Sequence, residues 1–159
     1  MEYGGMELPE TYTLQDQLQI PYILRSLRWG STVANDLLVT LDNIQMTSGF
    51  VEPIMEDNTL KLEYVDQGHL VKLRERMREY DASLWIEDAW SPKLQRECDE
   101  SIMKVISTLT GITKGMLKKV NAVRLYLRVI TIADLADASG SYVPAGMLLG
   151  QWQAGSDLE

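Results

Sequence analysis

Four stretches of this chain place apolar residues three and four positions apart, which commits most of its length to helices that each bury one face. Val33, Ala34, Leu37, Leu41 and Ile44 predict a helix over 32–46. Leu70, Leu73, Met77 and Tyr80 mark a second, with Asp66 placed to cap it and Lys72, Glu75, Arg76, Arg78 and Glu79 on its outer side. The spacing lets Glu75 pair with Lys72 and with Arg78. Ile102, Val105, Ile106 and Leu109 define a third, preceded by Asp99 as a cap and stopped by Gly111. Met116, Val120, Val123 and Leu127 form the inner face of a fourth, which Thr113 can cap. A fifth periodic run, Leu14 to Trp29, contains Pro21. Proline has no amide donor and biases the preceding residue away from helix, so this run reads as two short helices, closed by Gly30 before an N-cap at Ser31.

Between these stretches the period changes. Leu60, Leu62 and Tyr64 alternate with Lys61 and Glu63, the pattern of a half-buried strand. SLWIE at 83–87 and the β-branched end of RLYLRVITI at 124–132 read as further short strands. Asp134 to Ser141 reads as a last helical turn followed by a tight turn, and GMLLGQWQAG at 146–155 as a strand or an unfinished element. The fold expected is therefore α+β and helix-dominated, with about five or six helices and a few short strands forming a small sheet. Residues 1–12 read as a loose arm and 13–159 as one globular domain. Within it, the Ser-, Gly-, Pro- and Asn-containing segment 47–59 marks an internal boundary. The final Ser156-Asp157-Leu158-Glu159 brings no change of composition, as at the cut end of a longer frame.

The 159 residues, 45% of them hydrophobic, suffice for one domain able to bury a core without disulfides or metal. Cys98 is the single cysteine, which fits a reducing compartment and leaves a cysteine-based zinc site without partners. The N-terminal MEYGGMELPETYT lacks the basic segment and apolar run of a secretory signal, and no apolar run is long enough to span a bilayer. An intracellular, soluble protein, cytoplasmic or nuclear and without membrane contact, is the expectation. The net charge of −8 is unevenly spread: residues 1–65 hold ten acids and three bases, whereas 66–159 hold thirteen acids and twelve bases. Any surface that attracts anions must lie in the second part, and the overall charge opposes non-specific nucleic-acid binding.

Signatures of catalysis are sparse. His69, the single histidine, can act as a base toward the Cys98 thiol only if the fold brings them together, and no GxSxG elbow is present. Glu87, Asp88, Asp99, Glu100, Asp134 and Asp137 supply the residue types of a metal-dependent nuclease, in which carboxylates clamp magnesium and activate water. Caps and turns account for Asp99, Asp134 and Asp137 equally well. Phosphate-binding loops and zinc or EF-hand spacings are absent, so no cofactor is expected. The basic run is the more specific signal. Lys114, Lys118, Lys119, Arg124 and Arg128 lie in a stretch with no acid, beside Tyr126. On a helix Lys114 and Lys118 share a face, as do Arg124 and Arg128, a stripe suited to holding phosphates. A solvated face with cations near a helix C-terminus is the plainer account of the same residues.

LQRECDESIM at 94–103, NAVRLYLRVITIAD at 121–134 and GQWQAGS at 150–156 occur in an order that resembles a segment of uncharacterised eukaryotic retroelement-type open reading frames found near reverse transcriptase modules. The resemblance covers 66–159 best and 1–50 more loosely. It carries over no catalytic residue, and the chain lacks a YxDD metal motif, so the resemblance implies a neighbour of the polymerase. The function expected is that of a non-catalytic accessory or interaction module, docking nucleic acid or a neighbouring reverse transcriptase module through residues 114–128. The alternatives are a metal-dependent nuclease using Glu87, Asp88 and Asp134, and a purely structural fragment of a larger domain.

Overall fold

The computed structural model describes residues 11–144 and 146–147, with side chains from residue 18 onward. Among the described residues there are five α-helices: α1 (Thr11–Trp29), α2 (Thr32–Ser48), α3 (His69–Glu79), α4 (Ile102–Thr108) and α5 (Lys114–Leu127), followed by one 3-10 turn, Ala133–Leu135. The chain gathers into two compact units, residues 1–40 and 41–159, the division falling inside α2. The expected arm, 1–12, lies outside the described residues except for Thr11 and Tyr12, which are helical.

In the first unit α1 runs unbroken through Pro21, where two short helices were expected. Pro21 is exposed, so water can take the place of the amide that proline lacks, and the continuing turns on either side hold the helix together. The ending is as read from the sequence. Gly30 adopts a φ of +59°, and the Ser31 hydroxyl accepts from the Ala34 amide at 3.3 Å. Arg25 lies over the Trp29 ring, 5.8 Å from its centroid.

The second unit corrects the fold class. No strand and no sheet exist among the described residues; the extended segments meet only in two isolated antiparallel bridges, Ser101 with Thr131 and Ala136 with Tyr142. The alternation at 60–64 is real, with Leu60, Leu62 and Tyr64 buried while Lys61 and Glu63 face water. Its backbone groups, however, find side chains and not a neighbouring strand. The Leu60 carbonyl accepts from Arg74 at 2.6 Å, and Leu62 closes a turn onto the Val65 amide. At 83–87 a single backbone bond, from the Leu84 amide to the Met55 carbonyl, replaces a ladder. RLYLRVITI is helical to Leu127, reverses at Arg128 in the left-handed region, and pairs over one rung at Thr131.

Three buried polar side chains do what a sheet would have done. Arg74, 1% exposed, donates to the carbonyls of Ile54, Asp57 and Leu60 at 2.5–2.7 Å and pairs with Glu75 at 3.0 Å. Gln45 donates to the carbonyls of Phe50 and Glu52 and accepts from the Ile54 amide, all within 3.0 Å. Arg124 closes the end of α2. The last carbonyls of a helix lack partners in their own turn, and a buried end must find them elsewhere. Arg124 donates to Met46 O and Thr47 O at 2.9 and 3.0 Å, Asn121 donates to Thr47 O, and the Tyr64 hydroxyl donates to Ser48 O at 2.6 Å. A cation at this end also complements the helix dipole. Gly49, at φ +75°, lets the guanidinium approach, since a Cβ there would meet Arg124 Nε at 2.5 Å. Segment 47–59 is thus the most tightly braced part of the unit.

Candidate functional site

Helix α5 starts as its sequence dictates, with the Thr113 hydroxyl accepting from the Met116 amide at 3.3 Å. Its orientation is turned from the expected one. The residues it buries are Leu117, Asn121 and Arg124. Of the stripe read as its inner face, Val120 and Leu127 are half-buried, while Met116 is 47% and Val123 57% exposed. Arg124 and Asn121 are drawn inward because the α2 carbonyls need donors that no apolar side chain supplies.

The basic residues of the sequence reading therefore separate into two groups. Arg124 is 3% exposed, and its donors go to Asn121 Oδ1, Val129 O, Met46 O and Thr47 O. Burial pulls its guanidinium below the ordinary arginine value, opposed by the charge interaction with Tyr64. Its place in a phosphate-binding stripe is corrected: it has no donor turned to solvent, and it does not share a face with Arg128, which leaves the helix as its left-handed C-cap. Lys114, Lys118 and Lys119 are exposed on a helix that carries no acid, and Arg128 is exposed beyond its end.

Beside the outward stripe lies an open cavity of about 300 Å³ lined by Ile102, Val120, Val123, Leu127, Val129 and Leu135, with Lys119 and Arg124 on its borders. Its far wall is fixed by carboxylates acting on backbone. Asp134 Oδ2 accepts from the amides of Ile130 and Thr131 at 2.7 and 2.8 Å, and its other oxygen takes a hydrogen bond from Gln95. Asp99 Oδ1 accepts from the Ala133 and Glu100 amides, both at 3.0 Å. Desolvation works to raise the Asp99 carboxyl, but the backbone amides and the Thr131 hydroxyl outweigh it and hold it below the usual aspartate range. Asp99 consequently clamps the 133 turn and does not cap α4, whose N-cap is Ser101; α3 likewise starts from Gly68, without a cap from Asp66.

The catalytic readings find no assembled site. Glu87 and Asp88 are exposed in a turn, Asp134 is engaged as described, and among the described residues no group of three or more His, Cys, Asp or Glu side chains stands where it could hold a metal. His69 opens α3 and Cys98 sits at φ +60° in the turn before Asp99, both exposed, with no hydrogen bond between them. Among the described residues no helix is long and apolar enough to cross a membrane.

Sequence reasoning missed the outward stripe. The signal available was the pair Asn121 and Arg124, polar residues three apart that share a face with Leu117. Compared with known proteins, the chain matches no family model, no curated protein and no solved structure.

Proposed function

We propose that this chain is a non-catalytic interaction module of a retroelement-type protein, and that α5 is its docking element. One observation carries the reading: α5 buries Asn121 and Arg124 with Leu117 and offers solvent the apolar Met116 and Val123 together with Lys114, Lys118 and Lys119, on a helix that carries no acid. Covering Met116 and Val123 by a partner would recover part of the roughly 1.5–3 kcal/mol that full burial of such a side chain contributes. The retroelement context rests on the resemblance alone. Its signature residues Asn121, Arg124, Asp134 and Asp99 all act here on backbone, which accords with a packing motif in an accessory segment.

The test is a titration of the purified protein with labelled single-stranded RNA and DNA and with a reverse transcriptase module encoded beside it, at about 50 and about 200 mM salt. Salt-sensitive binding that Lys118→Glu with Lys119→Glu reduces at least about tenfold supports α5 as the docking element. Binding that the double variant leaves unchanged, or none to any of the three, removes it. Arg124 is unsuitable for this test because its replacement would disturb α2.

A further inference from the structure

We propose that the Met116–Val120–Val123–Leu127 stripe receives a single amphipathic helix of a partner protein, with carboxylates on the flank that faces Lys119. This rests on α5 being the docking element and names what docks. The four residues follow one another at intervals of four, three and four, the spacing at which one helix seats the side chains of another. From Met116 to Leu127 the stripe runs about 16 Å, three helical turns. Val120, Val123 and Leu127 themselves form one wall of the cavity of about 300 Å³, whose other apolar residues are Ile102, Val129 and Leu135.

Its chemistry discriminates among occupants. A nucleic-acid strand needs aromatic rings to stack on or hydrogen-bond donors for base edges. No aromatic ring lines this cavity, and Arg124, on its border, directs its donors to backbone carbonyls and Asn121. An extended peptide needs an open backbone edge, but the amides of Val129, Ile130, Thr131 and Ile132 are bound to Arg124 O, Asp134, Asp134 and Glu100 O. A second copy pairing α5 with α5 would find no carboxylate, because the helix has lysines and arginine but no acid, and Lys119 would meet like charge. An acid-flanked apolar helix satisfies both the stripe and Lys119.

The probe is a fluorescein-labelled, helix-forming peptide with leucines at i, i+4, i+7 and i+11 and glutamates at the flanking positions. Two controls accompany it: the same peptide with lysines in place of the glutamates, and a labelled single-stranded oligouridine. Fluorescence anisotropy should show the glutamate peptide binding at least about tenfold tighter than the lysine peptide. Val123→Glu should abolish binding of the glutamate peptide, and Lys119→Glu should erase its preference over the lysine peptide. Val123 is more than half exposed, so its variant retains the fold, as circular dichroism would verify. Oligouridine binding that needs Lys118 and Lys119 but ignores Val123→Glu would overturn the helix partner while leaving α5 as the docking element. Silence toward every probe would overturn both. Dimerisation in sedimentation that Val123→Glu abolishes would assign the stripe to a second copy and overturn the proposal.

Discussion

Helices α3 and α5 are alike in sequence and opposite in use. Each carries basic residues on its outer side, mixed with Glu75 and Glu79 in α3 alone; each repeats apolar residues at helical spacing, and each carries an arginine that the fold buries. In α3 the stripe and the arginine go in together: Leu70, Leu73 and Met77 enter the core, and Arg74 beside them holds the carbonyls of 54, 57 and 60. In α5 the arginine goes in and the stripe stays out. The difference lies in what each arginine must reach. Arg74 serves a loop that crosses the apolar face of its own helix. Arg124 stands beside its stripe in the same way, four residues after Val120 and three before Leu127, but it reaches across to the end of another helix, α2. With the arginines placed alike, what packs around them differs: α3 buries its apolar residues with Arg74, whereas α5 buries Leu117, Asn121 and Arg124 and leaves Met116 and Val123 exposed.

The largest effect that could break this contrast is at Arg74. Arg74→Met keeps the volume but strands three buried carbonyls, and should cost about 4 kcal/mol in urea unfolding. A loss below about 1 kcal/mol would mean that water reaches the 54–60 loop and that the brace is incidental. Gly49→Ala tests the second arginine without touching it. The new methyl requires a left-handed residue other than glycine and displaces a guanidinium pinned by four acceptors, so about 3 kcal/mol should be lost. An unchanged midpoint would show that Arg124 can leave the α2 end freely.

Asp99 sharpens the comparison through pH. Its folded-state pKa is depressed, so the stability it contributes is present above the ordinary aspartate value and is lost as pH falls through the folded value. Asp99→Asn should therefore cost about 1 kcal/mol at neutral pH and almost nothing near pH 2, with a shallower acid limb in between. Asp57 is depressed too, which keeps the limb from vanishing. An equal penalty at both pH values would show that Asp99 contributes through shape and not charge. The smallest effect belongs to the stripe. Val123→Glu should move stability by no more than about 0.5 kcal/mol, whereas Leu73→Glu, at the matching place in α3, should prevent folding. A Val123 variant that unfolds would place the stripe inside the chain's own core.

The helices were legible because their periodicity is a property of neighbouring residues. The range 32–46 was recovered within α2, the Thr113 cap held, and the Gly30–Ser31 stop was seen. Glu75 pairs with Arg78 at 3.3 Å as its spacing allowed, and with Arg74 at 3.0 Å. What the sequence concealed was long-range. Leu60, Leu62 and Tyr64 alternate as a strand would, yet alternation reports only that one side is buried, not that a second strand lies alongside. Gln45, Arg74 and Arg124 look like surface residues by type, and nothing local announces the carbonyls they serve. The expected inner face of α5 failed for the same reason, since the preference of an apolar stripe for burial was outweighed by acceptors on α2.

The cap that Arg124 and Asn121 place on α2 also orders events in time. These hydrogen bonds join residues 74 to 78 positions apart. During synthesis the end of α2 leaves the ribosome long before the side chains that will close it, and domains fold as their parts emerge. Until α5 has been made, the carbonyls of Met46 and Thr47 have only water as partners. The end of α2 thus cannot be closed by these bonds until the chain has been made through Arg124, well past the middle of the second unit.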